Sequence, residues 1–228
     1  MIPARRITVM LAEDHAVVRQ GLCALLLAEG HFIIVGEARN GREAVEMAEA
    51  IRPNVILMDI AMPVLNGLEA TRQILAAYPA ARVIILSAHS EEEYVGRMNA
   101  AGVAGFLEKQ TSSETLIKAI REVAKGNTFF SSAIAGRLSH GQEKSRIGGG
   151  SLDSKNPRFT IREAEVLQLV AEGSANKQIA AALGISIKTV EKHRQRVMDK
   201  LNIHDTAGLT RYAIATGVIE NSVQLTIV

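Results

Sequence analysis

At 228 residues with 47% apolar content and a formal net charge of +2, the chain is long enough for two ordinary domains, and its charge alone does not point to nucleic acid. No apolar run approaches the roughly eighteen residues that cross a bilayer, and the start MIPARRITVM carries no signal-peptide core, so a cytoplasmic protein without a membrane partner is expected. The single cysteine, Cys23, excludes an intrachain disulfide and a cysteine-rich zinc site, and within GLCALLLAEG it reads as a small buried hydrophobe.

From the N-terminus, short β-rich runs alternate with helical patterns. ITVMLA, FIIVGEA, VILMDI, RVIILSA and AGFLEK read as strands, and segments near 15–29, 41–51, 66–77, 91–101 and 112–125 read as helices. The first four strands are continuous apolar runs, which suits burial on both faces by crossover helices. Five strand-then-helix units predict an α/β domain over residues 1–126: a doubly wound, five-stranded parallel sheet.

After Gly126 the pattern breaks. A short helix is expected near 131–139, followed by SHGQEKSRIGGGSLDSKNP, too polar and glycine-rich to bury a core, so 127–157 reads as a linker. Residues 158–228 show only helical periodicity, in TIREAEVLQLVAEG, NKQIAAALG, SIKTVEKHRQRVMDKL and TAGLTRYAIATG, which predicts a small all-α four-helix domain. Residues 1–126 hold 13 Lys/Arg against 15 Asp/Glu, and residues 155–228 hold 10 against 7, so the C-terminal part is mildly basic.

In an open parallel sheet, ligands collect outside the carboxyl ends of the strands. The polar residues at those ends are Glu13 and Asp14, Asp59, Ser87 and Lys109. Each has an ordinary explanation: Asp14 as the cap of the helix near His15, Ser87 or Ser90 as the cap of the helix near Glu91, Lys109 as a solvated strand-end lysine. Jointly they point elsewhere, because three clustered carboxylates repel unless a cation neutralises them, and Mg2+ meets that need with oxygen ligands and retained waters. A carboxylate beside such a cation and a lysine is a nucleophile suited to phosphorus.

Glu13–Asp14, Asp59 with Met62, Pro63 and Gly67, Ser87, and GVAGFLEK ending in Lys109 together resemble the receiver domain of two-component response regulators, over residues 7 to about 126. That resemblance implies a flavodoxin-like fold and an Asp59 that accepts a phosphoryl group from a sensor histidine kinase. It also implies Mg2+ held by Glu13, Asp14, Asp59 and the backbone carbonyl of Ala61, with Lys109 on the phosphoryl group. Ser87 and Phe106 would form the switch pair, although Phe106 also reads as ordinary core. His89 and Ala61 would flank the phosphate and tune its loss to water. Gln110 departs from the proline often found after the lysine.

In NKQIAAALGISIKTVEKHRQRV, Gly184 sits at a turn between two helices and Ser186 is a good N-cap, which is the helix-turn-helix pattern. Val190, Val197 and Leu201 form one stripe of the second helix, and Lys188, Glu191, Lys192, Gln195 and Asp199 the opposite face. With FTIREAEVLQLVAEG, VMDKLNI and YAIATGVI, residues 158 to about 219 resemble the LuxR-type DNA-binding domain, and the order receiver, linker, LuxR-type domain matches the NarL/FixJ group. The resemblance implies base reading by Glu191, Lys192 and Gln195 and phosphate contacts by Lys188, Thr189, His193 and Arg196; Glu191 stands where a basic residue is common. It also implies a homodimer paired through the final helix, about 205–216, on which Leu209, Tyr212, Ala213 and Ala215 or Thr216 share a side; core packing explains the same residues.

The expected function is a transcription regulator, not an enzyme, that binds DNA under control of Asp59 phosphorylation. A phosphohydrolase is the competing reading, and against it Ala61 occupies the position where a second aspartate would serve as general acid.

Overall fold

In the computed structural model, the described residues are 6–88, 101–130 and 159–219. The expected helix at 91–101 (save Ala101), the expected short helix at 131–139, Ser90 and His89 lie outside them. The chain forms two compact units, Met1–Ser154 and Lys155–Val228.

The first unit alternates β1 (Ile7–Ala12), α1 (Ala16–Ala28), β2 (Phe32–Ala38), α2 (Gly41–Ile51), β3 (Val55–Asp59), α3 (Gly67–Ala77), β4 (Val83–Ser87), β5 (Gly105–Glu108) and α4 (Ser113–Lys125). All pairings are parallel, in the order β2-β1-β3-β4-β5. This is the doubly wound flavodoxin-like order, and its winding reverses between β1 and β3. Alternate residues feed two cores. Met10, Ile56, Met58, Ile85 and Phe106 face the layer with Ala44, Ala48, Ala70 and Ile74 of α2 and α3. Val9, Leu11, Leu57, Ile84 and Leu107 face Leu26 of α1 and Leu116, Ile120 and Val123 of α4.

β3 and β4 are buried along their whole length, as continuous apolar runs require. β2 differs: it is an edge strand, its middle residues are partly exposed, and Ile33 is among the exposed large hydrophobics. An apolar run therefore did not mean two covered faces there, because lateral position in the sheet is invisible to periodicity. Beyond α4 the chain returns to the sheet, where Phe106 N–H donates to Phe129 O (3.1 Å) and Phe129 N–H to Ala104 O (3.0 Å).

The second unit contains α5 (Ile161–Ala171), α6 (Asn176–Leu183), α7 (Ile187–Leu201) and α8 (Thr206–Ala215). A Thr160/Glu163 capping box starts α5, with Thr160 Oγ1 accepting from Glu163 N–H and Glu163 Oε2 from Thr160 N–H. Val166, Leu167, Val170, Ile179, Leu183, Val190, Val197, Leu209 and Ala213 form its core. Gly184 closes α6 at φ 64°, and Ser186 caps α7 by accepting from Thr189 N–H at 3.1 Å. Among the described residues no helix is long and apolar enough to cross a membrane.

Candidate functional site

The carboxyl ends of β1, β3, β4 and β5 meet at one edge of the first sheet. Glu13 follows β1 directly, and its N–H donates to Ala38 O at the end of β2 (3.1 Å). Asp59 is the last residue of β3 and Ser87 of β4; Lys109 follows β5, with its N–H donating to Ser87 O at 2.7 Å. Glu13, Asp59 and Ser87 are each only 1% exposed.

Lys109 ties the cluster together, with Nζ 2.8 Å from Glu13 Oε2 and 2.9 Å from Asp59 Oδ2. Its ammonium is thus shared between two buried carboxylates, and Asp14 Oδ1 is a further buried oxygen beside them. Burial and the neighbouring Glu13 charge push the Asp59 carboxyl up to about 6, against the pull of Lys109. Lys109 is shifted the other way: burial would lower it, but Glu13 and Asp59 together hold its ammonium above the ordinary lysine value. One ammonium does not satisfy three carboxylates. Oxygen atoms of Glu13, Asp14 and Asp59, with a nitrogen of His15, lie within 4.8 Å of one another, a spacing that fits a divalent cation.

The loop after β3 is built around Asp59. A Cβ on Gly67 would meet the Asp59 carbonyl oxygen at 1.9 Å, so only glycine lets α3 start there. Met62 N–H donates to Ile60 O (3.0 Å), which fixes the half-exposed Ala61 between them. Leu65 N–H donates to Pro63 O (2.8 Å) across Val64, whose φ of 70° makes a strained γ-turn at a β-branched residue. Met62 is buried in the core below, and Phe106, 1% exposed, has its ring in the same layer.

Two participants escaped sequence reasoning. His15 Nδ1 stands 3.1 Å from Glu13 Oε1 and 2.9 Å from Asp14 Oδ1. Arg19 is only 7% exposed; its Nη1 donates to Glu13 O (2.7 Å) and Asp14 O (3.4 Å), and its Nε to Glu37 Oε2 (3.3 Å). The acidic pair thus rests on a buried guanidinium. The signal for it was an arginine one turn into a helix whose other residues, save Gln20, are apolar or glycine. The capping role open to Asp14 is not taken, since the N-cap position of α1 is His15, without a side-chain cap. Cys23 is partly exposed instead of buried, and burial together with Glu37 raises its thiol.

In the second unit, α7 sorts as its spacing predicts. Val190 and Val197 are fully buried, while Lys188, Glu191, Lys192, Gln195, Arg196 and Asp199 are exposed. Gln195 Nε2 donates to Asp199 Oδ1 at 2.8 Å, and Thr189 is partly exposed beside Ser186. His193 is half-buried, with Nδ1 turned into the domain and without a hydrogen-bond partner. Arg194, which sequence reasoning passed over, joins three helices: its Nη1 donates to Asn176 Oδ1 at the start of α6 (3.2 Å) and its Nη2 to Thr206 Oγ1 at the start of α8. On α8, Leu209 and Ala213 are fully buried and Tyr212 packs edge-on to Phe159. Core packing accounts for these three.

The model of the family "Response regulator receiver domain" matches residues 9–121, and that of "Bacterial regulatory proteins, luxR family" matches residues 157–213. The transcriptional regulatory protein DegU of Brevibacillus brevis is 35% identical over 226 residues, which cover 94% of this chain and 96% of the relative. The chain is a response regulator with a LuxR-type DNA-binding domain. The oxygen regulatory protein NreC of Staphylococcus carnosus is 34% identical over 216 residues, covering 93% of this chain and 99% of that one. Among solved structures, one of two RcsB dimers bound to two parallel DNAs aligns at 25% identity and a TM-score of 0.52, covering 91% of this response regulator and 97% of that chain.

Proposed function

We propose that this response regulator is a phosphorylation-controlled transcription regulator whose phosphoryl acceptor is Asp59, with a sensor histidine kinase as donor and DNA as output. The observation that carries the reading is the buried end of β3, where Asp59 lies 2.9 Å from the Lys109 ammonium, which also holds Glu13 at 2.8 Å. Asp59 Oδ attacks phosphorus, and the phosphorus–nitrogen bond of a phosphohistidine breaks, leaving an acyl phosphate on the carboxyl. Lys109 offsets charge on the transferring group, and Ser87, at the end of the adjacent strand, is the hydroxyl that turns toward the phosphoryl oxygen. Phe106, now ordinary core, follows it. Glu13, Asp14, Asp59 and the Ala61 carbonyl would hold Mg2+, which supplies Lewis-acid stabilisation of phosphoryl oxygens.

The receiver domain occupies 1–126 and the DNA-binding domain 158–228, joined by the linker 127–157. In the second, Glu191, Lys192 and Gln195 on the exposed face of α7 read bases in the major groove, and Lys188, Thr189, His193 and Arg196 meet phosphates. RcsB, the protein in the structural comparison, is a dimer on DNA, and two copies of this chain would likewise cover two half-sites when phosphorylated.

The phosphosite is tested by incubating wild type and Asp59→Asn with acetyl phosphate and Mg2+ and measuring intact mass. Wild type gains one phosphoryl group and the variant none; an adduct on Asp59→Asn sinks the assignment. On the DNA side, Lys192→Ala and Gln195→Ala weaken binding to a selected operator more than to random DNA. Equal losses on both would move those residues to phosphate contacts.

A further inference from the structure

The acidic pocket contains a donor that phosphoryl transfer does not use. His15 Nδ1 lies 2.9 Å from Asp14 Oδ1 and 3.1 Å from Glu13 Oε1. Adjacent donors around an octahedral cation with bonds of about 2.1 Å stand about 3.0 Å apart. The imidazole nitrogen hydrogen-bonds to Glu13 Oε1, and its spacing from both carboxylates is also that of a neighbouring ligand. Backbone geometry keeps it there, since His15 N–H donates to the same Glu13 Oε1 at 3.1 Å and His15 O accepts the first turn of α1 from Arg19 N–H at 3.0 Å.

The two oxygens of Glu13 divide the pocket: Oε1 faces His15 and Oε2 faces Lys109 at 2.8 Å. A cation on the imidazole side does not compete with the ammonium for one Glu13 oxygen. Independently of the histidine, the deeply buried Glu13 and Asp59 share the Lys109 ammonium at 2.8 and 2.9 Å, so a single ammonium serves two buried carboxylates with Asp14 beside them. A pocket of oxygens alone suits Mg2+, which strongly prefers oxygen and sheds its waters reluctantly, whereas an added imidazole favours first-row transition cations in the Irving–Williams order.

We propose that His15 is a nitrogen ligand at this site, through which the receiver binds an imidazole-preferring first-row divalent cation more tightly than Mg2+. The proposal rests on the reading of Glu13, Asp14 and Asp59 as metal ligands. His15 is mostly exposed, so its replacement leaves the core untouched.

The test uses the full chain at about pH 8, above the usual imidazole range, with Mg2+ and Co2+ as separate probes. Dissociation constants are measured by calorimetry, and the visible d–d absorption of bound Co2+ is recorded, for wild type, His15→Ala, His15→Gln and Asp59→Asn. The proposal expects Co2+ to bind wild type more tightly than Mg2+, and both His15 variants to lose about tenfold or more in Co2+ affinity. Mg2+ affinity should change by less than about twofold, and the Co2+ band should shift as a nitrogen ligand is lost. His15→Gln keeps a hydrogen-bonding side chain without the ring, so wild-type Co2+ binding in that variant overturns the proposal. Equal losses for both cations, or none, overturn it as well. If wild type binds neither cation, or Asp59→Asn binds both as wild type does, the carboxylate reading itself has failed.

Discussion

The two candidate sites handle charge in opposite ways. At the end of β3, Glu13 and Asp59 are almost completely buried and share one ammonium, with Asp14 beside them, while along α7 Lys188, Glu191 and Lys192 stand in solvent. Buried charge is costly and survives only with neighbours that compensate for it, which is why Lys109, Arg19 and the Gly67 approach are all needed at once. Exposed charge costs almost nothing to the fold. The first kind of site is therefore coupled to stability and can act as a switch; the second is energetically silent until DNA arrives.

The sharpest way to break this comparison is a pair of glycine substitutions. Gly67→Ala drives a Cβ to 1.9 Å from the Asp59 carbonyl oxygen and should destabilise the receiver by about 3 kcal/mol or more in urea titrations and abolish phosphorylation. Gly184→Ala, in the turn before α7, meets nothing within 4 Å and suffers only its φ of 64°, so about 1 kcal/mol is expected. Similar losses at the two positions would remove the distinction.

Asp59→Asn comes next. Its carboxyl ionises at about 6 in the folded chain against 3.8 as the ordinary value, so the folded state holds the proton more tightly than the unfolded one. As pH rises from about 4 to about 6 without metal, wild type should lose up to about 3 kcal/mol relative to Asp59→Asn, and the gap should stay level above that. Saturating Mg2+ should close it. A wild type that gains stability over the variant in that window would contradict the buried-charge account.

In the second unit, Lys200→Ala strips the ammonium that sits 2.5 Å from buried Glu163, and about 1–2 kcal/mol of stability should go with it. Glu163 is held below the usual glutamate range because Lys200 and the Thr160 cap outweigh its burial, so its contribution is present above the unfolded value and fades as pH falls through the folded one. The smallest effect is expected for Lys192→Ala: within about 0.5 kcal/mol in stability, with the loss confined to DNA affinity.

Much of this was legible in the chain. VILMD ends in an acid that a parallel sheet places at its carboxyl edge, and the helix periods placed Val190 and Val197 inward and Lys192 outward. What escaped depended on contacts made across the fold. Arg19 drew no reading because the carbonyls that bury it belong to a loop, and His15 looked like a helix start because its partners are its own neighbours seen only in three dimensions. The exposure of Ile33 follows from an edge position that no run of apolar residues encodes. Leu209 and Ala213 could serve either a core or an interface, and only the packing of α8 decides for the core.

The measurement that bears most directly on the proposed switch is the DNA affinity of the full chain for a selected operator, with and without acetyl phosphate and Mg2+, in wild type and Asp59→Asn. Phosphorylation of Asp59 should tighten binding about tenfold in wild type and leave the variant unchanged. Equal affinity of phosphorylated and unphosphorylated wild type, with the phosphoryl group verified on Asp59 by mass, would contradict the coupling of the buried site to the exposed one.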